Sequence, residues 1–477
     1  MSINMSQHLT WPQLLKYVAP SIAMMIFTSI YGIVDGFFVS NFAGKTALAA
    51  VNFIMPVATI LATVGFMIGT GGSALVSKTR GEGDERRAKR YFSLLVYTAA
   101  TIGILLAISG FVFIPTLAQA MSAQGQMLSD SIVYGRMMMI TLPFFVLQYV
   151  FQSFFVAAGK PQVGFFVILG AGVTNILLDA LLVGAFGWGL EGAALATNIS
   201  QLIGGGAGLI YFARKNSSFL QLGSCSFEIR VLGRACLNGS SEMMSNVAAS
   251  LVAILYNVQL MHYLGEEGVA AYGVIMYVVM IFAAVFMGYS MGSAPLMSYQ
   301  LGAGNTREMR SLLKKGLTFI GVSGIAMFAL AQILAKPIAL VFVGYDPGLT
   351  QLTVEAFRVY SFAFLLMGFS IFGSSFFTSL NNGTISAAIS FLRTLVFEAS
   401  AIIVLPLIMG ASGIWASINL AELASVIVTS IFMIKLGKRY GYLGSQGAAK
   451  HAVSEAAKII AEIPELPAQN TLKKDTA

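Results

Sequence analysis

Charge is what this chain has least of. Only 10% of its 477 residues are Asp, Glu, Lys or Arg, against about a quarter in ordinary soluble domains. With 57% hydrophobic residues, a soluble globular fold is excluded. Cysteine is nearly missing too. Cys225 and Cys236 stand in or beside one central connection, so a disulfide framework has no support, and three scattered histidines add no metal-ligand cluster. No loop is long enough to form a catalytic domain, which argues against an integral-membrane enzyme. Gly44-Lys-Thr46 resembles the end of a phosphate-binding loop, but Val39 occupies the position of its leading glycine. Gly69 to Gly72 falls inside an apolar helix, where close packing explains it. Nucleotide and nucleic-acid partners are therefore not expected. Met1 to Thr10 has no basic n-region and no cleavage motif, so the first apolar segment reads as a retained helix.

What remains is a series of apolar runs, each long enough to cross a bilayer, which takes about 20 residues. Twelve spans account for them, near 12–40, 45–77, 91–115, 130–157, 161–184, 188–213, 231–262, 267–300, 311–341, 350–380, 384–409 and 412–436. The net charge of +8 gathers in the connections after the second, sixth, eighth and twelfth spans, for example at Lys78, Arg86, Arg214, Arg307 and Lys438. Connections after odd-numbered spans are poor in Lys and Arg, and one carries Glu266 and Glu267. This pattern predicts a multi-pass protein of a bacterial cytoplasmic (inner) membrane with both termini in the cytoplasm.

The chain also repeats itself. Gly44 to Met55 aligns with Gly265 to Met276 at an offset of 221, and the same offset pairs Gly71, Ser77, Gly81, Gly83 and Arg86 with Gly292, Ser298, Gly302, Gly304 and Arg307. An offset of 222 pairs Arg136 with Arg358, and the Ser-Phe-Phe of 153–155 with that of 375–377. The expected fold is all-α: two six-helix bundles in parallel orientation, residues 1–222 and 231–440. A cytoplasmic linker, 223–230, joins them and a cytoplasmic tail, 441–477, follows. Within the tail, 451–463 can form a short amphipathic helix with Val453, Ala456, Ala457 and Ile460 on one face. Repeats of this kind mark secondary transporters, whose sites lie between or within the halves.

Few residues inside the spans can carry chemistry. Asp35 is the only charged residue between Lys16 and Lys45, and an ionised Asp deep in a bilayer costs roughly 2.5–3.5 kcal/mol. Asn175 and Asp179 lie four apart in the fifth span, on one helix face, and Thr197 in the sixth can add a hydroxyl oxygen. Such oxygens can share a proton or begin a Na⁺ cage. A carboxylate pair of this kind can release its proton when a cation arrives, coupling opposite fluxes without ATP. In the second half, Glu242, Glu398 and Glu422 form a candidate acidic site. Arg393, five residues before Glu398, is expected on a different helix face. Arg136 and Arg358 near helix ends read as snorkelling or structural residues, for instance with Arg358 paired to Glu355. Aromatic and methionine side chains lining a cavity would suit flat lipophilic cations. Pro20 removes a backbone hydrogen bond fifteen residues before Asp35 and is the expected hinge.

Several motifs in order resemble the multidrug and toxic compound extrusion (MATE) family, in its bacterial DinF-like and MepA-like branch. They are Pro20 with Tyr31-Gly-Ile-Val-Asp35, Gly71 to Gly83, Asn175-Ile-Leu-Leu-Asp179, Gly192 to Ser200, and Ile414-Trp415 with Ala421-Glu422. The resemblance spans roughly residues 10–440. It implies two six-helix bundles around a V-shaped cavity and export of lipophilic, mostly cationic drugs in exchange for H⁺ or Na⁺. Asp35, Asn175, Asp179 and Thr197 match the ion site of the N-terminal half in this family. Family members with a second site use acids in the seventh and tenth spans; here Glu242 suits the first, but the tenth span's only acid, Glu355, lies near its outer end. No cofactor beyond the coupling ion is implied, and a monomer is expected. A lipid-linked oligosaccharide or lipid flippase of the same superfamily is the alternative, and it would call for a cationic cavity.

Overall fold

In hydrocarbon every backbone N–H and C=O must find a partner within the protein, which leaves helices as the solution for these apolar runs. The computed structural model describes residues 7–43, 45–120 and 124–443, and no strand occurs among them. Among the described residues eleven helices are long and apolar enough to cross a membrane: Trp11–Phe42, Ala49–Gly81, Glu85–Ala120, Gly125–Ala157, Pro161–Ala185, Gly189–Ala213, Ile229–Gly302, Thr306–Val343, Pro347–Ser379, Gly383–Met409 and Ala411–Gly437. Ile229–Gly302 holds two spans, because Gly265 (φ 64°, ψ −154°) breaks it in a region that only glycine enters without strain. Twelve spans result. Several helices outrun their apolar cores. The third begins at Glu85 rather than near residue 91, because Glu85, Arg86, Arg87, Lys89 and Arg90 favour helix well enough to continue it into the polar zone. The expected amphipathic helix at 451–463 lies outside the described residues.

The internal repeat is written into the backbone. Left-handed conformations recur at Gly83 and Gly304 (φ 92° and 66°) and at Gly189 and Gly410 (52° and 62°), each pair 221 apart. Gly159 and Asn381 (73° and 56°) form a third pair at 222; asparagine is the residue that best replaces glycine there.

The two halves meet most closely at the end that bears the basic connections. A Cβ at Gly81 would stand 2.1 Å from the Tyr299 carbonyl oxygen, and one at Gly302 would stand 2.0 Å from that of Lys78. Lys78 and Tyr299 are themselves repeat mates, so the second and eighth spans cross in a two-fold manner. Beside this crossing Gly71 and Gly239 touch: their Cβ atoms would meet the Ala235 and Met67 carbonyl oxygens at 2.0 and 1.9 Å. The symmetry-related contact sets Gly292 against Val18 and Ser21. Small residues let these backbones approach, as expected between helices in lipid.

A short N-terminal strap fastens the same end. Leu9, 2% exposed, donates its N–H to Glu308 Oε1 at 3.1 Å, and His8 Nδ1 meets Glu308 Oε2 at 2.5 Å. The Lys315 ammonium donates to the Leu9 carbonyl oxygen. Residues 214–228 connect the halves without regular structure, yet they are anchored: Gly223 N donates to Ser93 Oγ at 3.0 Å and Leu222 N to the Phe212 carbonyl at 2.8 Å. Just after the last helix, Tyr442 is buried, and its carbonyl oxygen accepts from Arg310 Nε at 2.8 Å.

Candidate functional site

In the first helix the α-helical turns give way to a π-helical one at Val39–Ala43, directly after the turn that carries Asp35. The fifth does the same at Asp179–Ala185, starting on the aspartate itself. Wide turns of this kind are costly and often occur at functional sites. The two helices are brought together by Gly172, whose missing side chain leaves room for Phe27 and Tyr31. One turn beyond Tyr31 comes Asp35, and two turns beyond Gly172 comes Asp179.

The result is a carboxyl pair. The Asp35 and Asp179 side chains face each other at hydrogen-bonding range, with Asp179 fully buried and Asp35 only 8% exposed. Among the described residues neither finds a donor: Asp35 Oδ1 and both Asp179 oxygens are buried without a hydrogen-bond partner, as is Asn175 Nδ2. Two ionised carboxylates offer only acceptors to one another. A proton or a small cation is what would satisfy them. Asn175 stands one turn before Asp179, whose N–H bonds to its carbonyl oxygen. Antiparallel packing of the fifth and sixth spans, close at Gly192 and Leu182, sets Thr197 at the level of Asn175 and Asp179. Thr197 is half-buried, and among the described residues its hydroxyl makes no hydrogen bond to either.

The acids of the second half separate into two roles. A cavity of about 300 Å³ lies between the halves, and Glu242, Arg393 and Glu398 are on its wall. Phe66, Thr70 and Ser153 contribute from the first half. Glu422 is absent from the wall. It is 1% exposed and holds Arg393 through Oε1, at 2.8 Å from Nε and 2.6 Å from Nη2. The expectation that Arg393 and Glu398 point apart is corrected: residues Leu392–Glu398 form a third π-helical segment, with Ala399 N–H bonded five residues back to Thr394. That wider turn returns residues five apart to one face, and both line the cavity. Arg358 is not paired with Glu355, which accepts instead from Gln351 Nε2 at 2.5 Å; Arg136 lies over the Phe111 ring at 5.2 Å.

The duplicated architecture has counterparts. A family model, MatE, matches residues 20–181 and again 242–403. The chain belongs to the MatE family. Among its relatives, the multidrug export protein MepA of Staphylococcus haemolyticus is 23% identical over 433 residues, 89% of this chain and 94% of that protein. MepA of Staphylococcus aureus strain MRSA252 is 24% identical over 430 residues, 88% and 93% of the two chains. A MATE structure in complex with MaL6 superposes with a TM-score of 0.84 at 19% identity, covering 93% and 96%. A MOP-superfamily transporter from Pyrococcus furiosus gives 0.84 at 20% identity, covering 90% and 96%. At such identity these likenesses bear on the fold alone.

Within this MatE chain several polar residues escaped the sequence. Thr141 Oγ1 lies 2.7 Å from both Asn198 Oδ1 and Gln201 Oε1, tying the fourth span to the sixth. Tyr134, 1% exposed, lies in electrostatic range of both aspartates. Tyr272 and Tyr360 are on the cavity wall. An uncharged residue among dozens of similar ones carries no signal until packing selects it.

Proposed function

We propose that this MatE protein is a multidrug efflux transporter rather than an enzyme: an antiporter that exports lipophilic, mostly cationic compounds in exchange for H⁺ or Na⁺. The observation that carries it is the carboxyl pair Asp35–Asp179, without a hydrogen-bond donor among the described residues and one helical turn from Asn175, together with a cavity between the halves walled by aromatic, methionine and acidic side chains. The names of the MepA relatives support the drug-export part. The protein works in a bacterial inner membrane with both termini in the cytoplasm, in keeping with the basic connections, and as a monomer. One proton moved inward yields about 2.3 kcal/mol per 100 mV of membrane potential.

Alternating access then needs an element whose shape depends on the occupancy of the pair. The first helix qualifies. Near Ser21 and Ile22 it is held against Gly288 of the other half, and Pro20 at that point removes the hydrogen bond to the Lys16 carbonyl. Beyond the clamp, the segment carrying Asp35 is attracted to Asp179 when one proton is shared and repelled when both carboxylates are charged. The helix bends at Pro20 accordingly, and the drug cavity changes with it. Replacing Pro20 by Ala should restore the hydrogen bond, keep expression and melting temperature, and slow efflux several-fold. An unchanged rate in a well-expressed variant would sink the hinge. The coupling itself is tested by loading vesicles with ethidium and imposing first a pH gradient, then a Na⁺ gradient. Efflux should follow one of them, and efflux under neither removes the antiport reading. A flippase for an anionic lipid is not favoured, because Arg393 is the one basic residue on the cavity wall among the described residues and Glu422 already neutralises it.

A further inference from the structure

The connection between the halves does not stand away from the lipid. Gly223 accepts from the Tyr97 hydroxyl at 3.2 Å and donates to Ser93 Oγ at 3.0 Å. Both partners lie past the charged stretch 85–90, on the apolar part of the third helix. The chain therefore returns to the level where lipid begins before the seventh helix starts at Ile229. Phe227 and Ile229 are 76% and 67% exposed there. Apolar side chains left bare at the boundary of water and lipid gain by burial among acyl chains.

The first turns of the seventh helix have two faces. Val231, Leu232 and Ala235 are buried in one apolar cluster with Ala88, Phe92 and Leu95 of the third helix. The opposite face carries Arg230, Gly233, Arg234 and Leu237, all exposed, at the spacing that aligns residues along a helix. A Cβ at Gly233 would meet nothing within 4 Å, so open space lies beside the two arginines. Among the described residues neither guanidinium takes part in a hydrogen bond or an ion pair. Glu228, the nearest acid in the chain, is turned to other partners: it accepts from Ser226 Oγ at 3.2 Å and lies in electrostatic range of Arg87. Like charges one turn apart repel, and an anion held between them removes that cost. The guanidinium fork suits a phosphate in particular.

We propose that the stretch from Phe227 to Leu237 is a docking site for an anionic phospholipid of the cytoplasmic leaflet. Arg230 and Arg234 take the phosphate headgroup beside Gly233, while Phe227, Ile229 and Leu237 lie against the acyl chains. Basic residues between helices on the cytoplasmic side recognise such headgroups. None of these five side chains lines the cavity between the halves, so the lipid is a resident partner and not cargo. It fastens the connection between the halves to the leaflet, and it does so independently of what the protein exports.

The test is lipid retention by purified full-length protein in detergent, read by native mass spectrometry. Phosphatidylglycerol and phosphatidylcholine with the same acyl chains are the probes. The wild type should hold phosphatidylglycerol about tenfold more tightly. Arg230→Gln combined with Arg234→Gln should abolish that preference and leave phosphatidylcholine retention within about twofold, whereas Arg230→Lys with Arg234→Lys should keep part of it. Equal retention of both lipids by the wild type, or an unchanged preference in the glutamine variant, would overturn the site. Displacement of phosphatidylglycerol by inorganic phosphate would give the arginines to a free anion and overturn the lipid assignment. Insertion is read separately, with Cys225 and Cys236 replaced by Ser. A fluorophore attached through Phe227→Cys in nanodiscs should be quenched by spin labels on the acyl chains. Quenching by a water-soluble agent alone would overturn the apolar part of the site.

Discussion

Ethidium efflux should be abolished by Asp35→Asn and by Asp179→Asn, while neither variant loses stability. The two halves of this expectation have one cause. In the native pair, two acceptors face each other with no hydrogen-bond donor among the described residues, which is acceptable only while a proton or ion is present. An amide at either position brings its own N–H donors and can bond the opposing carboxylate permanently. That bond adds about 1 kcal/mol to stability, and the melting temperature should hold or rise. It also removes the exchangeable proton, so the pair can no longer alternate between attraction and repulsion. Drug resistance of cells and gradient-driven efflux from vesicles are the readouts. Retained resistance in both variants would exclude the pair as the coupling site. A lower melting temperature with resistance intact would assign it a structural role instead.

Gly239→Val should push the protein out of its present conformation. A Cβ at this position would stand 1.9 Å from the Met67 carbonyl oxygen, a backbone atom on a helix of the other half. Overpacking of that kind costs about 1–3 kcal/mol within a rigid core. Here the contact joins two bundles rather than the interior of one, so relief is available by parting them at the basic end. Labelling measures this. With Cys225 and Cys236 replaced by Ser, a cysteine introduced at Ser73, on the cavity wall, should react several-fold faster with a membrane-impermeant maleimide applied from the basic side. Unchanged labelling in a folded variant would mean that the Gly71–Gly239 contact does not close that end. Because the Gly81–Gly302 crossing lies beside it and obeys the same two-fold relation, substitutions there should act in the same direction.

Helix number, the repeat and the aspartates are legible in the residue types alone, for a simple reason. Solvation in a bilayer penalises each charge so heavily that Asp35, Asp179, Glu242, Glu398 and Glu422 stand out against an apolar background. Hydropathy could not locate the helix ends, because Glu85 to Arg90 are strong helix formers that lie beyond the apolar core. Nor could helical periodicity place Arg393 and Glu398. A regular turn separates residues five apart, and the π-helical segment that reunites them leaves no mark in the residue types. The division among the second-half acids was equally hidden. Glu422 reads as deep and suitable for a ligand, but a guanidinium on the cavity wall claims it.

The amino-acid order by itself therefore determined the solvent, the twelve crossings, the duplication and the residues costly enough to need a purpose. Tertiary structure decided which of those residues share a site. It set Asp35 against Asp179 through the notch at Gly172, turned Glu398 toward the cavity, and withdrew Glu422 into an ion pair. The physical reason is one of range. Transfer from water to lipid is a property of each segment alone, whereas contact between carboxyls depends on distances that helix packing fixes between spans far apart in the chain.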